Sequence, residues 1–290
     1  MIVYLNGRFC PADEARISLL DGGYLFGDGV FETLRLYAGR PFDLEGHLAR
    51  MASQLEALEY SWRPDIRELG DILDTLVTRN EWNGMDVRCR ITVSRGYDGG
   101  ELLPLLDHGN ITPTISMVAQ PLGDRLVRWQ KDGIAVEPLP FAYVRGNFPH
   151  LKTLNYLPTA MALRYAARHG CDEALFIDGQ GRILEAATSN VFMVREGSLW
   201  TPPLDLGLLP GRTRSMVLAG AERSGLQIHE LPFTLDELCR ADEVFLSGSV
   251  KEIVPVRTIG GVDVAKGEPG PVTRILQKEY RRGVRDALGG

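Results

Sequence analysis

The sequence predicts an α/β fold, α+β in detail, organised as two domains, and three observations predict it. Segments that alternate apolar and polar residues interleave with segments whose apolar residues recur at helical spacing. A chain of 290 residues exceeds what one small core organises. Periodicity lapses over 119–128 around Pro121 and Gly123, which separates a domain over 1–118 from one over 129–290, with the lapse as linker.

Residues 1–10 alternate through Ile2 and Tyr4 to an Asn6-Gly7 pair, the pattern of an opening β-hairpin. Over 21–35, D-G-G-Y-L-F-G-D-G-V-F-E-T-L-R sets glycines around aromatic residues, a tight loop feeding a strand over 30–37. Asp43 is a suitable N-cap for a helix carrying Leu44, Leu48, Met51, Leu55 and Leu58. Arg50 falls off that stripe and reads as a solvated arginine. A second helix is predicted over 65–81 on Ile66, Leu69, Ile72, Leu73, Leu76 and Val77. The strand over 87–94 places Val87, Cys89, Ile91 and Val93 on one face and Arg88, Arg90, Thr92 and Ser94 on the other. Such a polar face either meets solvent or walls an anion pocket. The loop over 96–110 has a length that is more often functional than idle, and a strand over 111–118 follows it.

In the second half, strands are predicted over 134–138, 174–178, 183–186, 190–195 and 199–201, with Asp178-Gly179 and Glu196-Gly197 as turns. Helices are predicted over 154–169, closed by Gly170, over 213–224, closed by Gly225, and over 235–239 and 271–288.

Composition excludes several classes. A net charge of −6, with arginines scattered among acidic residues, argues against a nucleic-acid partner. Cys10, Cys89, Cys171 and Cys239 are far apart, without a C-x-x-C pair or histidines at metal-ligand spacing. They read as free thiols of a reducing cytoplasm. The chain enters a strand pattern from Met1, so neither export nor membrane insertion is expected.

Lys152 stands out. The chain has five lysines, and Lys131, Lys251, Lys266 and Lys278 lie in polar surroundings, whereas Lys152 sits between Leu151 and Leu154 in H-L-K-T-L-N-Y. Partial desolvation leaves a fraction of such an amine neutral, as attack on an aldehyde carbon requires. The same residue also reads as a helix-start lysine whose stem packs and whose head reaches water. Downstream come Glu185 in I-L-E-A-A-T-S-N-V-F, Thr201 in L-W-T-P-P, and L-P-G-R-T-R over 209–214. Together with G-D-G-V-F-E-T, these segments resemble the signature of the class IV aminotransferases, over nearly the whole chain.

The resemblance implies a fold type IV enzyme that uses pyridoxal 5′-phosphate (PLP), with a small N-terminal α/β domain and a larger C-terminal pseudo-barrel domain. It implies the cofactor in the interdomain cleft and a homodimer in which the 21–33 segment approaches the neighbouring site. Lys152 would form the Schiff base and carry the proton. Glu185 would face the pyridine nitrogen, Tyr156 the phenolic oxygen, and Arg50, Arg212, Thr213 and Ser249 the phosphate, with Ser247-Gly248-Ser249 ending a strand and offering hydroxyls and amides. Phe26, Phe31, Thr33 and Leu208 would line the substrate pocket, and Arg90 would take a carboxylate. From the residues alone, Glu185 is equally a strand-edge carboxylate, and Tyr156 a core aromatic that shares a helix face with Lys152 if the helix has begun there. Arg212 departs from the family, which has an aliphatic residue there.

The substrate signals are mixed. Phe26 replaces a tyrosine usual in branched-chain aminotransferases, and Phe31-Glu32-Thr33 their F-E-G. The loop lacks the R-x-H of D-amino acid aminotransferases. F-E-T-L-R resembles aminodeoxychorismate lyases, which commonly carry lysine at the Arg90 position and a loop arginine that is absent here. The expected reaction is transamination between a hydrophobic, branched-chain amino acid and 2-oxoglutarate. The alternatives are the lyase and a D-amino acid or (R)-amine transaminase. A cofactor-free binding module explains the glycine-rich loops but not the register of Lys152 and Glu185.

Overall fold

The computed structural model describes residues 1–97, 112–144 and 150–289. Of the loop read over 96–110, only Gly96 and Tyr97 fall within the described residues. Contacts divide the chain into two compact units, one of Met1–Leu122 with Leu151–Asn155, the other of Gly123–His150 with Tyr156–Gly290.

The smaller unit opens with β1 (Ile2–Leu5) and β2 (Arg8–Pro11), joined by Asn6 at φ 45° and Gly7 at φ 82°. Both turn residues are left-handed, which matches the twist of a two-residue hairpin. The tight loop expected next contains a one-turn helix, α1 (Gly22–Phe26), because the Asp21 carboxylate accepts the Gly23 N–H at 2.7 Å and Gly27 closes the turn at φ 70°. Then follow β3 (Gly29–Tyr37), β4 (Arg40–Pro41), α2 (Leu44–Ala57), α3 (Ile66–Arg79), β5 (Val87–Ser94) and β6 (Thr114–Pro121). Asp65 caps α3 by accepting two N–H groups at 2.9 Å, whereas Asp43 before α2 is left-handed and caps no N–H with its side chain.

These strands form an antiparallel sheet in the order β2-β1-β6-β5-β3-β4. Leu48, Met51 and Leu55 of α2 and Leu69, Leu73 and Leu76 of α3 join Val30, Leu34, Leu36, Cys89 and Ile91 in one core. Alternation therefore turns Phe31, Thr33, Arg90 and Thr92 to the opposite face.

The larger unit contains α4 (Arg125–Asp132), β7 (Ile134–Pro138), α5 (Leu157–Arg168), β8 (Glu173–Ile177), β9 (Ile183–Ala186), β10 (Asn190–Arg195), β11 (Ser198–Thr201), α6 (Arg212–Arg223), β12 (Ile228–Glu230), α7 (Leu235–Cys239), β13 (Glu243–Gly248), β14 (Glu252–Ile259), β15 (Val262–Asp263) and α8 (Pro271–Leu288). Its mixed sheet runs β12-β11-β10-β13-β14-β7-β8-β9, with β15 on β14. An Ala186↔Ser189 bridge brings β9 back beside β10, so the sheet curls into a half-barrel. Val191, Met193, Val244, Leu246, Val254 and Val256 fill one core. On the other face Phe192 and Phe245 stack at 4.9 Å, and Glu243 binds the Val272 and Thr273 N–H groups at the start of α8.

Within the stretch read as linker over 119–128, β6 runs to Pro121, the division between the units falls after Leu122, and α4 begins at Arg125. The helix read over 154–169 starts only at Leu157, with a proline in its first turn and Tyr156 as N-cap. The backbone before it is engaged elsewhere. Phe31 N–H donates to the Lys152 carbonyl at 3.0 Å and Leu154 N–H to the Gly29 carbonyl at 2.9 Å, so this stretch runs along β3 as a strand-like strap. Lys152 and Tyr156 consequently do not share a helix face.

Candidate active site

Three side chains meet on the face of the smaller unit's sheet opposite its core. The Arg90 guanidinium carbon lies 3.5 Å from the centroid of Phe31, and Arg90 Nε donates to Thr92 Oγ1 at 3.1 Å. Lys152 Nζ lies 4.5 Å from the same centroid. An aromatic face attracts cations, so Phe31 holds both heads over one apolar surface. Thr33, the register partner of Arg90, stands beside them. The main chain of Lys152 is fixed as well, its N–H donating to Gln54 Oε1 at 2.6 Å. Phe26 is not part of this group: it ends α1 and is 45% exposed.

Behind Phe31, on the core side, Glu32 is 0% exposed and takes Arg50 Nε at 2.7 Å on Oε1 and Arg50 Nη2 at 2.7 Å on Oε2, with His47 Nδ1 2.8 Å from Oε2. Burial opposes ionisation of this carboxyl, but the hydrogen bonds from His47 and Arg50 outweigh it and hold the pKa at about 2. Arg50 is therefore not the solvated arginine that its place off the apolar stripe suggests. The sequence reading missed Glu32 and His47. Their signal was present: a carboxylate in phase with Val30, Leu34 and Leu36 on a strand, followed by a histidine and an arginine three residues apart on a helix.

The larger unit gathers the opposite kind of chemistry. Glu185, 8% exposed on β9, accepts the Leu209 N–H at 3.3 Å and Asn190 Nδ2 at 3.5 Å on Oε2. Asn190 Nδ2 also donates to the Leu209 carbonyl at 3.0 Å, which ties β10 to the L-P-G-R-T-R segment. Gly211 must lack a side chain, because a Cβ there would collide with Asn190 Oδ1. Gly211 is also the N-cap of α6 and offers no side-chain cap, so the first-turn N–H groups at Arg212 and Thr213 can serve an anion. Ser247 pairs with Asn190 across β13 and β10. Its buried Oγ has no hydrogen-bond partner among the described residues, a condition that costs about 1–3 kcal/mol and that a bound acceptor relieves. Sequence reasoning offered the hydroxyls of Ser247-Gly248-Ser249 together and carried Ser249, in the adjoining turn, forward as the phosphate ligand; the structure leaves the Ser247 hydroxyl unpaired among the described residues. Leu208 is packed in the cluster of Leu139, Ala162, Phe176 and Leu184, so it shapes that core.

Within the larger unit, an acid beside a glycine-cleared helix start with an orphaned hydroxyl fits PLP: Glu185 would serve the ring nitrogen, and α6 with the 247–249 segment the phosphate. Among the described residues no cluster of metal ligands occurs, and no helix is long and apolar enough to cross a membrane.

The α+β architecture with its curled half-barrel sheet is that of the fold type IV PLP enzymes. Residues 29–259 match the family model for amino-transferase class IV, and the chain belongs to that family of PLP-dependent aminotransferases. It is 35% identical to a protein of Methanocaldococcus jannaschii provisionally named a branched-chain-amino-acid aminotransferase, over 97% of this chain and 96% of that one. It is 31% identical to the aminodeoxychorismate lyase of Bacillus subtilis, over 99% and 96%, and 30% identical to a D-alanine aminotransferase of Listeria monocytogenes, over 100% and 98%. Among solved structures, the branched-chain amino acid aminotransferase of Escherichia coli superposes with a TM-score of 0.88 at 27% identity, covering 98% of this chain and 94% of that one. The branched-chain aminotransferase of Thermobaculum terrenum in its PLP form superposes with a TM-score of 0.84 at 29% identity, covering 99% and 94%.

Proposed function

We propose that this enzyme transfers an amino group between a hydrophobic, branched-chain amino acid and 2-oxoglutarate, with Lys152 as its catalytic residue. The observation that carries this reading is the sharing of the Phe31 ring by Lys152 and Arg90. An amine and a guanidinium against one aromatic ring support a substrate with an apolar side chain and an acid group, the guanidinium serving as its carboxylate receptor.

Bound PLP supplies an aldehyde carbon for the amine and a ring that accepts electrons when the substrate Cα loses its proton. Lys152 would hold that carbon at rest and, once displaced by the incoming amine, take and return the proton through Nζ. Glu185, already hydrogen-bonded by Leu209 and Asn190, would keep a negative charge at the ring nitrogen so that it stays protonated. Tyr156 would donate to the phenolic oxygen. The N–H groups at Arg212 and Thr213, the hydroxyl of Ser249 and the guanidinium of Arg50 would bind the phosphate, and Glu32 holds that guanidinium in one orientation. Phe26 would act across a homodimer, approaching the partner's site with the 21–33 segment. The exposure of Leu19, Tyr24, Leu25 and Phe26 supports this assembly, and sedimentation showing a fully active monomer would refute it.

The lyase is the second reading, favoured by F-E-T-L-R and the relative from B. subtilis. A half-reaction screen separates the two. Holoenzyme is mixed in turn with L-leucine, L-glutamate, D-alanine, an (R)-amine and aminodeoxychorismate, and the visible absorbance of the bound cofactor is followed. Rapid loss with L-leucine and L-glutamate is expected. Silence toward both, with pyruvate released from aminodeoxychorismate, would establish the lyase instead.

A further inference from the structure

We propose that Lys251 and Glu173 are a positioning pair that sets the 247–249 segment for the cofactor phosphate, so that Lys251 strengthens phosphate binding without touching it. The proposal rests on the reading that this segment and the start of α6 take the phosphate. Sequence reading placed Lys251 among the lysines in polar surroundings, but the structure gives it a buried counter-charge. Its ammonium meets the carboxylate of Glu173, which is 0% exposed on β8, and lies 2.7 Å from Thr188 Oγ1 and 3.5 Å from Ser189 Oγ. Thr188 Oγ1 in turn donates to Glu173 Oε2 at 2.6 Å.

Geometry links this pair to the phosphate cradle. Ser249, Val250 and Lys251 are the whole connection between β13 and β14, closed by the Gly248↔Glu252 pair. So short a turn moves as a unit. Its last residue is held at both ends, by Glu173 at the ammonium and by Gln130 Nε2, which donates to the Lys251 carbonyl at 3.0 Å. The Gly248 end is close-packed too, since a Cβ there would stand 3.4 Å from the Thr188 carbonyl oxygen. Thr188 and Ser189 lead directly into Asn190, which bonds Leu209 and abuts Gly211. Lys251 thus fastens the 188–190 and 247–249 stretches into one piece that faces the start of α6. A buried ion pair adds little net stability, because desolvation offsets the attraction, so fixing a conformation is the better account of its presence.

The test uses apoprotein and two ligands, PLP and pyridoxal, which lacks the phosphate. Dissociation constants and melting temperatures are measured for wild type, Lys251→Met, Lys251→Arg and the double variant Glu173→Gln/Lys251→Met. The preference of wild type for PLP over pyridoxal should fall about tenfold in Lys251→Met, through PLP alone, and recover in Lys251→Arg, which keeps the charge. The double variant removes the stranded carboxylate and should show the same loss, even if Lys251→Met folds poorly. An unchanged preference in either folded variant would overturn the proposal. So would equal weakening of both ligands with a lower melting temperature, the mark of a purely structural pair. Wild type that binds neither ligand would instead refute the cofactor reading on which the proposal rests.

Discussion

The β3–β5 face of the smaller unit gathers two cations, Lys152 and Arg90, on a single aromatic ring, whereas the ends of β9, β10 and β13 in the larger unit gather a carboxylate, amides and hydroxyls around a helix start. The first set is suited to an amine and a carboxylate that come and go. The second is suited to a resident group whose ring nitrogen and phosphate need constant partners. The difference teaches that changes in the two regions should separate kinetically: Lys152 apart, since it would both link the cofactor and carry the proton, damage to the first should fall on substrate steps, damage to the second on the state of the cofactor.

The largest effect is expected at Lys152. On the proposed reading Lys152→Ala would remove both the cofactor linkage and the proton carrier, and turnover should fall about 10⁴-fold or more, with the visible absorbance of the linked cofactor lost. Glu185→Gln should be next, a loss of about 10²–10³ in kcat with cofactor retained and its absorbance shifted. Equal turnover in that variant would break the comparison, since the larger unit would not then control the ring. Arg90→Ala sharpens it from the other side: kcat/KM should fall about tenfold to hundredfold while the cofactor spectrum stays as in wild type. A changed spectrum would mean that Arg90 belongs with the cofactor residues.

The smallest effect concerns stability. Glu32 is held down from 4.5 to about 2, so its stabilisation is complete above pH 4.5 and is lost as the pH falls toward 2. Glu32→Gln should cost about 1–3 kcal/mol at neutral pH and flatten that acid limb in melts recorded against pH. A limb as steep as that of wild type would place the responsible group elsewhere.

Elements with a clean period were legible in the sequence: β9, β10, α7 and α8 occupy the residues that their patterns indicate. Others lacked that signal for physical reasons. In α4 only Leu126 and Gln130 are buried, so no apolar stripe announces it. β14 carries Pro255 inside an apolar run, which argues against a central strand, yet Pro255 pairs with Phe245. The delayed start of α5 depends on β3 and Gln54 capturing the backbone of 152–154, contacts that no local rule supplies. At the site, scarcity made Lys152 visible and its motif made Glu185 visible. The partners of Glu173 lie up to 78 residues away and could not be read ahead of the fold, whereas the strand-end place of Ser247 made its hydroxyl legible and only its lack of a partner among the described residues awaited the fold.

The central claim is that Lys152, among five lysines, is the residue that holds PLP. Reducing the holoenzyme with borohydride fixes the cofactor to its lysine, and peptide mapping then locates it. The account predicts a pyridoxyl group on Lys152 alone; a label on Lys251 or any other lysine, or no label at all, would contradict it.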